Sequence, residues 1–94
     1  MFEIESGADG EILLRGRFDA TQVEKASAVL LGLERSCTVD FSGLDYIASA
    51  GLGVLLAAQK RLRERGCALR LARPSNHIRD VLHFSGFDHV FEIE

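Results

Sequence analysis

Between Val39 and Leu62 the apolar pattern changes its period. Val39 and Phe41 alternate with Asp40 and Ser42, which marks a strand, whereas Leu52, Leu55, Leu56 and Leu62 follow helical spacing. The stretch Asp40 to Gly53 therefore reads as a strand, a short turn and the first turn of a helix. Gly43 permits the turn. Ser49 is placed to cap the helix, because its hydroxyl can accept from a backbone N–H one turn on. Gly51 and Gly53 break the local rule: each costs about 1 kcal/mol relative to Ala in a helix interior. Two readings stand for them. Either the helix sits close against a strand, or a bare backbone lets another molecule reach Ser49.

The rest of the chain supplies partners for this unit. Phe2 and Ile4 alternate with Glu3 and Glu5, and Glu11 to Phe18 forms a second strand; Gly7-Ala8-Asp9-Gly10 between them predicts a hairpin. Asp19 with Gln22 forms a capping box, with Phe18 and Val23 as its hydrophobic staple, and Thr21 with Glu24 is a rival box. Val23, Ala26, Leu30 and Leu33 give that first helix its buried stripe. Cys37 to Ser42 is a short apolar strand suited to the middle of a sheet. The central helix runs from Ser49 to about Arg65, with Gly66 at its C′ position. Lys60, Arg61, Arg63 and Arg65 crowd its end, where they either complement the helix dipole or form a basic patch for phosphate or an acidic partner. Cys67 to Ala72 is a fourth strand. Ser75 caps a third helix, with Ile78, Val81 and Leu82 inward and Gly86 closing it. Phe87 to Ile93 reads as a last strand, with Phe87, His89, Phe91 and Ile93 on one face. The order β-β-α-β-α-β-α-β makes residues 1–94 one α/β domain with a mixed sheet of about five strands and right-handed parallel crossovers.

Several function classes are disfavoured. A net charge of −3 lacks the basic footprint of a nucleic-acid binder. Cys37 and Cys67 form no CxxC, metal spacing or disulfide framework, which fits a reducing cytoplasm. The start, Met1 to Glu5, is unlike a signal peptide, and the longest uncharged run, Tyr46 to Gln59, falls short of the about 20 residues a membrane span needs. Gly51-Leu52-Gly53 lacks the third glycine of a dinucleotide fingerprint, since Leu56 stands there. Ile47 precedes Ser49 by two where a nucleophile elbow needs Gly. His77, His83 and His89 share no helix face at metal-binding spacing. Asp40 and Asp45 suit strand-end and turn chemistry better than acid–base work. The expectation is a chain that is acted upon, with no cofactor, no metal and no catalysis of its own.

The central stretch resembles the signature of STAS-domain proteins, above all the small bacterial anti-sigma factor antagonists. In them a strand ends Asp-x-Ser, an aromatic or aliphatic step follows, and Asp-Ser-Ser/Thr-Gly opens a helix. Asp40, Ser42, Tyr46, Ile47, Gly51, Leu52 and Gly53 fit, and Ser49 matches the family's phosphoacceptor. Ala48 stands where the family often has Asp, and Ala50 replaces the second hydroxyl residue, leaving Ser49 alone at this helix start. The resemblance spans essentially the whole chain and implies helices packed mainly on one face of the sheet. It implies that Asp19, Ala48, Ser49, Ala50, Gly51 and Gly53 form a partner-binding surface, Asp19 being either a recognition residue or a plain cap. It implies partner switching in the cytoplasm, without nucleic acid or membrane. The unphosphorylated protein would bind an anti-sigma factor of the histidine-kinase-like ATPase fold and free a sigma factor. That anti-sigma factor would be the serine kinase, and a PPM-type serine phosphatase would reverse it. The alternative is a fixed STAS subunit of a lipid-transport or transporter assembly, in which Ser49 is only a helix cap. A nucleotide-binding sensor is a further rival.

Overall fold

The alternation of Phe2 to Phe18 becomes a hairpin in the computed structural model, which describes all residues from Met1 to Glu94. Strands β1 (Phe2–Ser6) and β2 (Ile12–Phe18) pair antiparallel, with Phe2 opposite Gly16 and Ser6 opposite Ile12. A 3-10 turn (Ala20–Gln22) and α1 (Val23–Leu30) lead to β3 (Cys37–Ile47). Then come α2 (Ser49–Glu64), β4 (Leu69–Ala72), α3 (Asn76–Phe84), a second 3-10 turn (Phe87–His89) and β5 (Glu92–Ile93). The spatial order is β1-β2-β3-β4-β5, and β2 to β5 are mutually parallel.

Sequential parallel strands, each one place further along the sheet, require crossovers that all step the same way. Right-handed crossovers then put α1, α2 and α3 on one face. Burial agrees with this. Phe2, Ile12, Leu14, Phe18, Val39, Phe41, Leu69 and Leu71 are buried, with Leu55 and Leu62 of α2 in the same cluster. Full burial of one such side chain stabilises by about 1.5–3 kcal/mol. The opposite face of the sheet is bare of helices and polar. There Arg15 pairs with Glu5 at 2.7 Å, the Arg17 guanidinium lies 4.2 Å from the Tyr46 ring centroid, and Arg70 pairs with Glu92.

β3 is longer than its alternation suggests. It continues through Gly43 to Ile47, where the sequence reads as a turn. The reason lies in the register. Leu13 faces Asp40 while Arg15 faces Gly43, and Gly16 faces Leu44 while Arg17 faces Tyr46. Each step leaves one extra residue on β3, so the strand carries two bulges against β2. Each bulge resets which side chain points inward, so Phe41, Leu44 and Ile47 are all buried at spacing three. Gly43 serves the first bulge, since a Cβ there would lie 2.8 Å from Arg15 Cγ.

Three further expectations change at the chain's other junctions. β4 starts at Leu69 because Cys67 N–H donates to Leu62 O at 2.8 Å and closes α2 through Gly66. The expected strand from Phe87 shrinks to Glu92–Ile93. Phe91 N–H donates back to Phe87 O at 2.8 Å, which buries both rings in a stack with centroids 5.3 Å apart. β5 then has only Arg70 and Leu71 of β4 as partners. In α2 the inward line is Gly51, Leu55, Ala58 and Leu62, and Leu56, one residue out of phase, is 44% exposed.

Gln59 shares the inward side of α2 and is buried. Its Oε1 accepts from Leu69 N–H at 2.7 Å and its Nε2 donates to Val90 O at 3.0 Å. One amide thus joins α2 to the start of β4 and to the approach to β5.

Candidate functional site

β2 and β3 end together. Phe18 lies opposite Ile47, and Ala48 N–H donates to Phe18 O at 2.9 Å. That bond extends the ladder one residue past β3 and holds Ala48 extended, with φ −90° and ψ 166°. Ala48 therefore takes the N-cap position, and its carbonyl accepts from Leu52 N–H at 3.0 Å. Ser49, expected as the cap, is instead the first helical residue. It is exposed, and no side chain caps this helix start. The consequence is chemical. The first-turn N–H groups and the positive end of the dipole face solvent without a side-chain acceptor, next to a hydroxyl that no group of the chain engages.

The two glycines divide the two readings between them. Gly51 faces inward, and a Cβ would come 3.0 Å from both Phe18 Cγ and Ile47 Cγ1, so its absence lets α2 settle on the sheet. Gly53 is exposed, one turn beyond Ser49, and a Cβ there would meet nothing within 4 Å. The fold has no use for a glycine at that position. Ser49, Ala50, Gly53 and Ala57 are all exposed, and Leu56 lies beside them, so the outer side of α2 carries no charge until Lys60.

Asp19 follows directly on Phe18 and so shares the strand-end edge with Ser49. It caps the 3-10 turn: its Oδ1 accepts from Thr21 N–H at 3.0 Å and from the Thr21 hydroxyl. The Gln22 amide donates to Thr21 Oγ1 rather than returning to Asp19, so the expected capping box stays open and α1 starts at Val23 without a side-chain cap. The Thr21 hydrogen bond, outweighing slight desolvation, holds the Asp19 carboxyl below the usual range, so an anion stands on this edge at neutral pH. The 3-10 turn packs against α2.

Asp40 and Ser42, which complete the signature, serve the bulged strand. Asp40 accepts from Ser42 N–H at 2.8 Å and pairs with Arg73 Nη2 at 3.0 Å. Partial burial pushes the Asp40 carboxyl up, but the Ser42 and Arg73 hydrogen bonds together bring it below its usual value. Arg73 makes this contact from a left-handed backbone, φ 56°. At the far end of α2, Arg61 donates to Leu33 O and Arg63 Nη2 donates to Val90 O at 3.0 Å, so two cations of the basic cluster serve carbonyls of other segments.

A family model described as "Mlab, STAS domain" matches residues 2–93. The chain is a STAS-domain protein. The STAS domain is 35% identical over 91 residues to BtrV of Bordetella bronchiseptica, a protein named as an anti-sigma factor antagonist, covering 90% of this chain and 78% of BtrV. Among solved structures it is similar to SpoIIAA in its unphosphorylated form, with TM-score 0.72 and 22% identity over 100% of this chain and 87% of that one. It is likewise similar to Bacillus SpoIIAA in the phosphorylated form, with TM-score 0.70 and 24% identity over 100% and 91% of the two chains. An anti-sigma factor antagonist structure from Thermotoga maritima gives TM-score 0.81 at 18% identity, over 99% of this chain and 85% of that one. At these identities the structures establish the fold. The STAS family represented here is regulatory and not enzymatic. No helix of the domain is long and apolar enough to cross a membrane.

Proposed function

We propose that this STAS domain is an anti-sigma factor antagonist that binds a kinase-type anti-sigma factor across Asp19, Ala48, Ser49, Ala50 and Gly53 and is released by phosphorylation of Ser49. The observation that carries the reading is the unengaged Ser49 hydroxyl on an exposed first helical turn, beside the open space at Gly53. BtrV, by its name, and SpoIIAA, known in unphosphorylated and phosphorylated forms, support it. Gly51 enters the surface from beneath, as the residue that lets α2 sit down on Phe18.

Phosphate on Ser49 adds about −1.5 to −2 charges and three acceptor oxygens. The uncapped N–H groups of α2 and its dipole receive that charge, so the fold survives modification. A partner packed over the uncharged stretch from Ser49 to Ala57 meets new bulk and charge, reinforced by the Asp19 anion on the same edge. The switch acts on the interface and leaves the domain intact. The kinase belongs to the histidine-kinase-like ATPase fold, a PPM-type serine phosphatase restores the hydroxyl, and both operate in the cytoplasm, where the free thiols of Cys37 and Cys67 stay reduced. The fixed-subunit alternative gives Ser49 the work of a helix cap, and Ala48 holds that position.

The test is labelling with ATP by the purified kinase-type anti-sigma factor. Wild type is expected to label at Ser49 alone and Ser49→Ala not at all. Label on Thr21, Ser42 or Ser75 that survives Ser49→Ala would sink the assignment.

A further inference from the structure

Further along α2 lies a groove between its outer side and the approach to β5. It has a volume of about 470 Å³ and is lined by Leu56, Gln59, Lys60, Arg63, Glu64, His89 and Val90. Its wall is fixed in place. Val90 O accepts both from the buried Gln59 amide at 3.0 Å and from Arg63 Nη2 at 3.0 Å, so the segment carrying Val90 is pinned to the helix. Leu56 is one of only three large hydrophobic side chains that the chain exposes. Lys60 enters none of the chain's ion pairs, and Glu64, one turn on, does not pair with it. An exposed leucine and an unpaired lysine therefore stand together at the edge of a rigid concavity.

We propose that this groove is a second docking point for the partner that reads Ser49, occupied by a partner segment with one apolar side chain seated between Leu56 and Val90 and a carboxylate on Lys60. The inference rests on the function proposed above. Two arguments fix the occupant. The first is continuity. Ser49, Gly53, Leu56 and Lys60 lie at i, i+4, i+7 and i+11, one line along the helix. Ser49 to Lys60 spans about 16 Å at 1.5 Å per residue. An interface of ordinary size covers about 800 Å² on each partner, a patch about 30 Å across. A partner centred on Gly53 thus reaches Ser49 at one end and the groove at the other. The second is charge. Lys60 and Arg63 are two cations against the single carboxylate of Glu64, and the floor between them is apolar, which selects an acidic-apolar segment over a basic one.

The two docking points have separable effects. Phosphate at Ser49 changes with the state of the switch. The groove does not, so it sets how tightly the kinase holds its substrate without touching the transferred group. The experiment is the steady-state labelling of Ser49 by the purified kinase-type anti-sigma factor with wild type, Leu56→Ala, Leu56→Asp and Lys60→Glu. The expected result is KM raised about tenfold for Leu56→Asp and Lys60→Glu, a smaller rise for Leu56→Ala, and kcat unchanged in all three, as for loss of binding made equally in ground and transition states. The Lys60→Glu effect shrinks as salt rises from about 0.05 to 0.5 M, and the Leu56 effects do not. Thermal melts of Leu56→Ala and Lys60→Glu match wild type, because these side chains are exposed. Unchanged KM in all variants, with wild type labelled normally, overturns the groove and leaves Ser49 standing. Failure of wild type to label at Ser49 overturns both.

Discussion

Gln59→Leu tests whether one buried amide holds the far end of α2 in place. The side chain is 1% exposed. Replacing it with an apolar group of similar size leaves Leu69 N–H without its acceptor at 2.7 Å. An orphaned buried donor costs about 1–3 kcal/mol. Val90 O loses Nε2 but keeps Arg63 Nη2 at 3.0 Å, so that site adds little. The extra apolar burial returns on the order of 1 kcal/mol. The net loss is up to about 2 kcal/mol, a visible share of the about 5–15 kcal/mol that holds a small domain. Gln59→Glu sharpens the test. A carboxylate still accepts from Leu69 N–H but points its other oxygen at Val90 O, and burial raises its pKa above the unfolded value of about 4.3. A raised folded pKa means full stability below about pH 4.3, lost as pH rises through the folded value. Once protonated, the introduced carboxyl donates to Val90 O as the amide does. Urea denaturation of wild type, Gln59→Leu and Gln59→Glu at pH 5 and 7.5 reads all of this. The reasoning fails if Gln59→Leu unfolds at the wild-type midpoint, or if the gap between Gln59→Glu and wild type is the same at both pH values.

Ser49→Ala is expected to leave stability within about 0.5 kcal/mol of wild type, since the hydroxyl caps nothing, whereas Leu55→Ala, fully buried, loses about 2–5 kcal/mol in the same denaturant melts. Ser49→Asp keeps the circular dichroism spectrum and melting temperature of wild type, yet binds the kinase-type partner at least about tenfold more weakly, or 1.4 kcal/mol, by calorimetry. Gly51→Ala destabilises by about 1–3 kcal/mol because its methyl meets Phe18 and Ile47, while Gly53→Ala stabilises by up to about 1 kcal/mol and weakens partner binding; equal melting temperatures for the pair would undo the division of roles. The lowered carboxyls of Asp40 and Asp19 contribute stability above the ordinary carboxylate range that disappears as pH falls through their folded values, and Asp40→Asn flattens that acid limb of a stability–pH curve.

The element order and the mixed sheet were legible because the apolar residues at each strand and helix repeat with the right period. Ser75 and Gly86 marked the limits of α3 for the same local reason: Ser75 Oγ accepts from Ile78 N–H at 3.2 Å, and Gly86 adopts φ 77°. Failures occurred where a tertiary contact overrode a local pattern. Ser49 looks like a cap in isolation, but the ladder bond from Ala48 N–H to Phe18 O moves the helix start by one residue. Phe87, His89, Phe91 and Ile93 alternate like a strand, yet a β4 of four residues offers β5 little to pair with. The bulges of β3 were written in the spacing Val39, Phe41, Leu44, Ile47, which steps by two and then by three, a change easily taken for the end of the strand. The two ends of the candidate surface, Asp19 and Ser49, were readable as types, but their shared edge depends on Phe18 meeting Ile47. Leu56 and Gln59 were hidden by a phase error of one residue on the helix.

β3 has neighbours on both sides only at Val39 and Asp40. Cys37 to Asp40 pair with β4, and from there to Ile47 the strand leans on β2 alone. Along a single strand, backbone amides therefore pass from protected interior to one-sided edge, and hydrogen–deuterium exchange should quicken toward Ile47. The segment that delivers Ser49 leaves the sheet held by β2 alone, through Phe18 opposite Ile47 and the Ala48 N–H to Phe18 O bond. The sheet thus has a graded protection, two-sided at Val39 and one-sided from Phe41 to Ile47, and Ser49 follows directly on the one-sided end.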